Sequence, residues 1–419
     1  MTSIVKQRIE QIRRGEVPEG YKKTKVGIVP DEWNEECLGK YLQEYKELSN
    51  DIENYPVYSS SRQGLIPQSQ YYDNREAVET NLGYKIVPNG YVTYRHMSDD
   101  DIFHFNVNKT GGDVLVSSEY PVFTSTKKGD LGYLIPLLNG TARFRYFCRT
   151  QKMGGTRTRL YYKNLCTYKT AFAPLVEQQK IAEILSAQDK LIALKEKLIE
   201  EKKRQKKALM QQLLTGKKRL PGFSSEWKKQ KMSDILCERK EENKDQSLRI
   251  CSVAVNSGVV DQREHLGKSM AASDTSNYNV VHYGDIVYTK SPTGAFPYGI
   301  VKQSQLTENV AVSPLYGVYE PTSYEIGYLL NEYFMYPNNA NGYLLPIINK
   351  GAKNTINISN ATFITPSLYL PTNFEEIKKL VQIFKVANKE IEILRKDLDQ
   401  EKQKKKVLMQ LLLTGIVRV

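Results

Sequence analysis

One stretch of sequence occurs twice in the chain. Residues 208–216 read ALMQQLLTG and residues 407–415 read VLMQLLLTG, and a lysine-rich stretch precedes each of them. Self-similarity of this kind is typical of a chain built from repeated structural units. Two related halves, each ending in a long helix, are therefore the first expectation for the fold.

The duplication continues upstream of these helices. Trp33 matches Trp227, and residues 84–94 (YKIVPNGYVTY) match residues 278–288 (YNVVHYGDIVY), all displaced by 194 residues. Both runs place alternating apolar residues around a turn signal, a pattern typical of a β-hairpin. Later matches are displaced by a few residues more, which we attribute to insertions in surface loops.

These matches divide the chain into five parts. We predict an N-terminal helical arm (1–20), a first globular domain (21–173), a long helix (174–216), a second globular domain (217–370) and a second long helix (371–419). The globular parts are rich in Tyr, Val, Ile, Thr and Gly, with frequent turn signals, which predicts a β-rich mixed α/β core. The expected fold class is α+β, with the two repeated domains separated by two long helices.

Each long helix is expected to begin after a proline and to end at a glycine, from Pro174 to Gly216 and from Pro371 to Gly415. Apolar residues spaced alternately three and four apart predict a coiled-coil seam along both helices. Its members are Ile181, Leu185, Ile192, Ile199, Leu380, Phe384, Ala387, Ile391, Leu394 and Leu398. We expect the helices to pair with each other in antiparallel orientation, which gives the chain an approximate twofold, pseudo-cyclic arrangement.

The N-terminal arm carries a partial third copy of the helix ending. Ile9, Ile12 and Gly15 have the same spacing as the last apolar residues and the glycine of the first long helix. In one interpretation the arm plays for the first domain the part that the end of the first long helix plays for the second. The alternative is a short amphipathic arm without that role.

Charge and composition narrow the choice of partners. The chain has 60 Lys and Arg against 47 Asp and Glu, a formal net charge of +13, which favours a polyanionic partner and nucleic acid foremost. Five cysteines without a CxxC pair argue against a disulfide framework and a structural zinc, and no cofactor is predicted. Neither a secretory signal nor an apolar run of membrane-spanning length is present, so we expect a cytoplasmic protein without a membrane partner.

The motifs of nucleotide and methyl-transfer enzymes are missing. A base-flipping adenine methyltransferase needs an Asn/Asp-Pro-Pro-aromatic motif, and the chain has no Pro-Pro dipeptide. The triplet at residues 267–269 (GKS) lacks the preceding glycine of a P-loop, because Gln262 stands at that position. The four histidines form no metal-ligand spacing, namely His96, His104, His265 and His282. We therefore predict a chain that catalyses nothing itself.

Base reading requires polar side chains on loops beside strands, whereas Lys and Arg also contact phosphates. In the first domain the candidate DNA-binding residues are Arg62, Gln63, Arg95, His96, Lys127, Lys128, Arg143, Arg145, Arg149, Arg157 and Arg159. In the second domain they are Asn256, Gln262, Arg263, Lys268, Thr289, Lys290, Ser291, Lys350, Lys353 and Asn354. The alternative for any single one is a solvated surface residue. The aromatic residues Phe144, Tyr146 and Phe147, which lie among the arginines, are expected to face a sheet core.

Three stretches resemble the specificity subunits of bacterial Type I restriction–modification systems. They are GYKKTKVGIVPDEW at residues 20–33, EQQKIAEILSAQDKLI at residues 177–192, and LLTG at the end of both long helices. The resemblance covers the whole chain. It departs from the family pattern at residues 375–380, where EEIKKL replaces the EQQKIA opening, which leaves the geometry of that helix end open.

The resemblance implies that each globular domain is a target-recognition domain reading one half of a split, asymmetric DNA site, with the paired helices setting the spacing. It also implies three kinds of partner: double-stranded DNA, two methyltransferase subunits, and translocating nuclease subunits. The residues alone leave two other classes of function open, a non-catalytic coiled-coil adaptor and a DNA-binding regulator with two modules. Neither of these needs a methyltransferase, so a stable complex with one discriminates between the readings.

Overall fold

The computed structural model of the chain describes residues 3–71, 83–152, 154–266, 273–350 and 356–419, with the backbone alone at residues 71, 265, 266, 349, 350, 356 and 357. The chain divides into two compact units. Unit 1 comprises Met1–Glu196 together with Lys396–Val419, and unit 2 comprises Lys197–Arg395. No helix among the described residues is both long and apolar enough to cross a membrane.

The first domain and its arm form the elements of unit 1. The helices are α1 (Ser3–Arg13), α2 (Gln68–Tyr71), α3 (Leu131–Gly140), α4 (Ala142–Thr150), α5 (Tyr162–Cys166) and the long α6 (Leu175–Leu213), whose last part belongs to unit 2. The strands are β1 (Tyr21–Thr24), β2 (Gly27–Pro30), β3 (Asn34–Cys37), β4 (Leu42–Tyr45), β5 (Leu48–Ser49), β6 (Tyr58–Ser61), β7 (Gly64–Pro67), β8 (Tyr84–Val87), β9 (Val92–Thr93), β10 (Met97–Ser98), β11 (Asn106–Val107), β12 (Val114–Ser117), β13 (Val122–Ser125), β14 (Thr158–Arg159) and β15 (Lys169–Phe172). A short 3-10 helix covers Leu38–Lys40.

The second domain forms the elements of unit 2. The helices are α7 (Met232–Ile235), α8 (Gln262–Leu266), α9 (Tyr324–Phe334), α10 (Pro337–Leu344), α11 (Asn360–Phe363) and the long α12 (Phe374–Leu413), whose last part belongs to unit 1. The strands are β16 (Lys228–Lys231), β17 (Leu236–Glu238), β18 (Ile250–Ala254), β19 (Gly258–Asp261), β20 (Asn279–Val281), β21 (Ile286–Thr289), β22 (Ile300–Gln303), β23 (Val310–Val312), β24 (Gly317–Pro321), β25 (Asn349–Lys350), β26 (Ile356–Asn357) and β27 (Ser367–Leu370). A 3-10 helix covers Leu345–Ile347.

The strand order confirms the duplication predicted from the sequence. Unit 1 has a four-stranded sheet in the order β11-β9-β13-β4, and unit 2 has one in the order β22-β21-β24-β17, its repeat strand by strand. A parallel pairing recurs as well, as a bridge between Val57 and Leu115 in unit 1 and between β18 and β23 in unit 2. Each domain also pairs a strand near its start with its last strand, β3 with β15 and β16 with β27. The fold class is α+β, as expected.

The two runs predicted as β-hairpins do not form hairpins. In residues 84–94 the strands β8 and β9 enter different sheets, and in residues 278–288 so do β20 and β21, because each strand pairs with distant segments and not across the short turn.

The matched tyrosines at the ends of these runs are core residues. Tyr94 and Tyr288 are fully buried. A buried phenol needs a hydrogen-bond partner, and each hydroxyl finds a backbone carbonyl: Tyr94 donates to Leu160 at 2.9 Å, and Tyr288 donates to Tyr298 at 2.8 Å. The repeat therefore places equivalent tyrosines in both cores.

The predicted seam is buried, and its first turns also pack into the globular cores. Ile181 and Leu185 lie in the core of the first domain, which includes Leu412 and Leu413 at the end of α12. Leu380 and Phe384 lie in the core of the second domain, which includes Met210 and Leu213 at the end of α6. The remaining members are buried or half-buried, namely Ile192, Ile199, Ala387, Ile391, Leu394 and Leu398. The same apolar stripe thus packs against the preceding domain as well as the other long helix, a combination that periodicity alone does not reveal.

Polar pairs give the helices an antiparallel register within each unit. In unit 1, Gln188 Nε2 lies 2.6 Å from Glu401 Oε2, and Lys195 Nζ lies 2.5 Å from Asp397 Oδ2. As the residue number rises along α6, the number of the contacted residue on α12 falls, so the two helices run antiparallel. In unit 2, Lys202 on α6 pairs with Glu390 on α12 at 2.5 Å. The antiparallel pairing expected from the sequence is present in each unit taken by itself.

A buried Trp–Glu–Arg cluster fixes the helix ends onto the first domain. Trp33 Nε1 donates to Glu177 Oε2 at 2.9 Å, and Arg418 Nε donates to Glu177 Oε1 at 2.6 Å. Gly415 lies against the indole with a φ of +72°, and a Cβ there would come within 3.3 Å of Trp33 and 2.5 Å of Pro30. Only glycine fits this left-handed, close-packed position.

The second domain repeats this cluster. Trp227 Nε1 lies 3.3 Å from Glu376 Oε2, and Arg219 Nε lies 2.9 Å from Glu376 Oε1. Gly216 takes a φ of +68° against the Trp227 ring. Glu376 therefore does for α12 what Glu177 does for α6, so the changed EEIKKL opening keeps the geometry. The arginine three residues after each LLTG glycine completes the motif, and the sequence reasoning missed it.

The N-terminal arm does not take the place proposed for it. Helix α1 has no buried residue, and Arg8 lies over the ring of Tyr21 at 5.1 Å and donates to the Ile416 carbonyl at 2.8 Å. The end of α12, at Gly415, lies beside Trp33, just as the end of α6, at Gly216, lies beside Trp227. The interpretation of the arm as a third copy of the helix ending is therefore wrong, because α12 carries the complete motif, including Arg418, and occupies the position.

Candidate nucleic-acid interface

Three of the predicted DNA-binding residues of the first domain line one cleft. The β6–β7 hairpin forms one wall, and the segment that follows β9 forms the other. A cavity of about 410 Å³ lies between them, lined among others by Arg62, Gln63, Arg95, Asp99 and His104. A turn of two residues places Arg62 and Gln63 at the hairpin tip, where both are exposed.

Two ion pairs border this cleft. Arg62 Nη2 lies 2.6 Å from Asp100 Oδ2, and Arg157 Nε lies 2.7 Å from Asp99 Oδ1. Partial burial would raise the pKa of Asp100, but hydrogen bonds from Ser98 and Arg62 outweigh it and hold the pKa below its ordinary value. Asp100 is therefore a charged carboxylate at neutral pH. Neither aspartate is among the predicted DNA-binding residues, because base reading was expected of basic, amide and hydroxyl side chains.

His104 is a neutral group of the cleft wall at pH 7. Burial lowers its pKa, and the cations Arg62 and Arg145 lower it further, while Asp100 opposes them.

The arginine-rich run folds as an amphipathic helix and not as a strand. Phe144 and Cys148 are buried and Phe147 is half-buried, whereas the side chain of Tyr146 is 70% exposed. The expectation that all three aromatics face a sheet core is therefore wrong for Tyr146. The spacing of Phe144, Phe147 and Cys148, three and four residues apart, is the sequence pattern that predicts such a helix. Arg145, Tyr146 and Arg149 form an exposed surface, the α4 face, which combines two cations with an aromatic ring.

Other candidates in the first domain lie elsewhere. Lys127 and Lys128 are exposed in the turn before α3, where the Lys128 carbonyl accepts from Gln178 of α6 at 3.3 Å. Arg143 donates to the Val26 carbonyl. These three cations therefore adjoin the helix ends. Arg159 is exposed on β14, directly opposite Met97 of the cleft wall.

His96 is buried, which argues against a contact with DNA. Its exposed fraction is 2%, its ring stacks on Tyr161 at 5.5 Å, and its Nε2 lies 3.7 Å from Glu119. Burial lowers the pKa of His96, so the imidazole is neutral at pH 7. We remove His96 from the candidates.

The second domain places different chemistry at the equivalent hairpin. Asn256 is exposed in the turn between β18 and β19, where the repeat aligns it with Arg62. Gln262 and Arg263 begin helix α8 and line a separate cavity of about 370 Å³ beside Arg249 and Asp261. The two domains thus offer unlike polar groups on a shared framework.

The remaining candidates of the second domain are less accessible or undescribed. Thr289 is buried, as expected for a residue still inside a central strand, and we remove it as well. Lys290 is half-buried and burial lowers its pKa, whereas Ser291 is exposed. Lys268, Lys353 and Asn354 lie outside the described residues, as does the side chain of Lys350. Among the described side chains no group of three His, Cys, Asp or Glu residues is arranged to hold a metal ion.

Two comparisons of sequence identify relatives. Residues 38–204 match the family model of the Type I restriction modification DNA specificity domain. A protein of Methanocaldococcus jannaschii, assigned as the specificity subunit of the type I restriction enzyme MjaX, is 26% identical over 214 residues. That alignment covers 47% of this chain, and the chain spans about half the length of the relative, 49%.

Solved structures share the fold along nearly the whole chain. The S subunit of a Type I restriction–modification system from M. genitalium has a TM-score of 0.54 at 12% identity, covering 91% of this chain and 96% of that one. A chain from a structure described as explaining complex assembly and conformational transition of the type I R-M system has a TM-score of 0.52 at 12% identity, covering 93% and 99%. These likenesses concern the fold, and the sequence matches concern the family. The resemblance found in the sequence is thereby confirmed: residues 38–204 are similar to the Type I restriction modification DNA specificity domain, and the relative from Methanocaldococcus jannaschii is assigned as a specificity subunit.

Proposed function

We propose that the chain is the non-catalytic DNA-specificity subunit of a Type I restriction–modification complex, in which each domain reads one half of an asymmetric target. One observation carries the proposal: two domains of the same strand order present different side chains at the same hairpin, Arg62 in one and Asn256 in the other. Identical readers would favour a palindrome, whereas unlike readers on a repeated framework suit a split, asymmetric site.

Within the first domain the proposal divides the candidates by role. Arg62, Gln63 and Arg95 line the cleft, where side chains can meet base edges. Arg145 and Arg149 on the α4 face, with Tyr146 between them, suit the phosphate backbone beside it. The formal net charge of +13 on the whole chain also supports contact with a polyanion such as DNA.

The proposal also includes two methyltransferase subunits and translocating nuclease subunits as partners. Each unit carries the same buried Trp–Glu–Arg cluster at its helix ends, and a repeated framework of this kind suits two copies of one partner. Exposed apolar side chains on the long helices support a helical protein partner, because Leu194, Val386 and Ile393 are each more than half exposed.

A domain exchange tests the assignment of one domain to one half-site. Replacing residues 220–369 with the second domain of another family member should change one half of the methylated sequence and leave the other half intact. Sequencing of methylated genomic DNA reads both halves in one measurement. The reciprocal exchange of residues 21–173 is the matched control and should change the other half.

A change in both half-sites, or in neither, would contradict that assignment. Purification from native cells separates the proposal from the two other classes of function, because an adaptor or a two-module regulator needs no adenine methyltransferase. A chain that binds DNA but never co-purifies with a methyltransferase would overturn the proposal.

A further inference from the structure

We propose that Arg62, positioned by Asp100, reads a guanine in the half-site of the first domain. The inference rests on the proposed function and names a base contact within it. Asp100 acts through Arg62 and is a positioning residue. The two lie on different elements, the β6–β7 hairpin and the segment after β10, so the fold brings them together across the cleft.

The hairpin tip is held firmly in place. Asn106 Nδ2 on strand β11 donates to Ser60 Oγ and to the Ser61 carbonyl, both at 2.8 Å. Ser61 Oγ in turn accepts from the Gln63 N–H at 3.0 Å and donates to the Gly64 carbonyl at 2.9 Å, which closes the turn. Arg62 therefore projects from a fixed backbone, and its side chain is 62% exposed.

The backbone of the turn fixes the Cα of Arg62, and Asp100 orients its guanidinium. Its Oδ1 accepts from Ser98 Oγ at 2.8 Å and from the Ile102 N–H at 3.3 Å, while its Oδ2 lies 2.6 Å from Arg62 Nη2. The contact engages a single nitrogen of the guanidinium, Nη2, and leaves the Nε and Nη1 groups outside it. A planar group held in this way presents two parallel donors, which match O6 and N7 of guanine in the major groove. Holding the side chain in advance also reduces the entropy lost on binding.

The charge of the pair favours a base over a phosphate. A phosphate beside Arg62 would also lie beside the Asp100 carboxylate, and two anions at that distance repel each other. An arginine that served only the DNA backbone would bind better without this neighbour. The edge of guanine carries acceptors but no full charge, so the carboxylate can remain paired while the guanidinium donates.

The second domain has no equivalent of the Arg62–Asp100 pair at this hairpin. Its turn carries Asn256 in place of Arg62, and residues 290–296 (KSPTGAF), which follow β21, contain no acidic residue. The paired arginine is therefore a property of the first domain and accounts for one position of one half-site.

The test compares three variants of the full chain, each purified with its methyltransferase. Arg62→Lys keeps the charge but loses the two parallel donors, and Asp100→Asn keeps Arg62 but removes the carboxylate that orients it. Glu35→Gln is the matched control, because it removes a carboxylate from another ion pair of the same domain, with Lys169 at 3.2 Å. The probes are target duplexes in which each base pair is substituted in turn, and the readout is the relative methylation rate.

At one G·C pair of the first domain's half-site we expect the native complex to prefer guanine about 5- to 150-fold, the range for one bidentate contact. Arg62→Lys and Asp100→Asn should each reduce this preference to a few fold and leave the other positions unchanged. Glu35→Gln should keep the native pattern.

Native specificity in Arg62→Lys would overturn the inference, because charge alone would then suffice. Native specificity in Asp100→Asn, or an equal loss at every position from a variant that still unfolds cooperatively, would overturn it too. A variant that does not fold is replaced by Arg62→Gln or Asp100→Ser, to which the same two outcomes apply. If the native complex itself has no defined bipartite target, the proposed function fails; if it has one that the variants do not alter, only the guanine assignment fails.

Discussion

Removing the arginine alone from the Trp–Glu–Arg cluster of the second domain should cost unit 2 several kcal/mol of stability. The Glu376 carboxylate is fully buried, and both of its oxygens lie 2.9 Å from Arg219 nitrogens. Arg219→Met removes this partner and leaves the charge with the Trp227 N–H alone, at 3.3 Å. Breaking a buried ion pair on one side costs about 3 to 5 kcal/mol, and because Arg219 is partly exposed we expect the lower end, about 3 kcal/mol.

The two tryptophans of the chain provide the assay. Each belongs to one cluster, so in a Trp33→Phe background the emission of Trp227 reports on unit 2 alone. For a unit of this size, a loss of about 3 kcal/mol lowers Tm by roughly 6 to 12 °C. The decrease should appear in thermal unfolding followed by Trp227 fluorescence.

A second variant decides whether the uncompensated charge is the cause. In Arg219→Met combined with Glu376→Leu no buried carboxylate remains, and replacing a buried ion pair by apolar residues is often close to neutral. We therefore expect the double variant to recover most of the lost stability. The reasoning is refuted if Arg219→Met matches the parent, or if the double variant is as unstable as the single one.

Two further predictions concern the helices and a buried lysine. Deleting residues 191–197 together with residues 390–396 keeps the heptad phase and shortens each helix by about 10 Å, so the spacer between half-sites should lose up to about three base pairs in methylome sequencing; a folded variant that keeps the original spacing would contradict this. Burial lowers the pKa of Lys302 to about 8, and Glu332 opposes the shift. Between about pH 8 and pH 10.4 the unfolded chain therefore binds one more proton than the folded chain. The free energy of unfolding should rise with pH through that window. Lys302→Met should stabilise unit 2 by about 3 kcal/mol at pH 7 and remove that rise, measured by urea unfolding at pH 7 and pH 9.5; an unchanged pH dependence would refute the assignment.

The sequence predicted those parts of the fold that local patterns determine. The repeat and the two long helices depend on spacing and turn residues, which a single sequence displays. The hairpin expected at residues 84–94 does not form, because a turn between two strands does not decide which strands they pair with: β8 and β9 enter different sheets. Helix α12 begins at Phe374, after Pro371, and Asn373 caps it through its side chain, which accepts from the Glu375 N–H at 2.9 Å. The order of strands in each sheet depends on contacts between distant residues, and no pattern in the chain encodes it.

The candidate site was predicted in part, for a similar reason. Arg62 and Asn256 were accessible to reasoning because each follows a strand and begins a turn. His96 and Thr289 are buried, because each directly continues a buried strand run, where a polar residue points inward as readily as outward. Asp100 could not be paired with Arg62 from the sequence, since the two are far apart in the chain and only the folded cleft brings them within hydrogen-bond distance.

The distribution of buried and exposed polar groups explains how one framework can serve different targets. Glu177 and Glu376 are buried in matching clusters, and a change at either leaves a charge or a cavity that costs several kcal/mol. Arg62 and Asn256 are exposed at hairpin tips, where substitutions cost about 0.5 kcal/mol or less. Selection for a folded chain therefore constrains the clusters and leaves the tips free to diverge. Asp100 falls between these cases, because losing it should leave the fold intact while releasing the Arg62 side chain, which we propose reads a guanine.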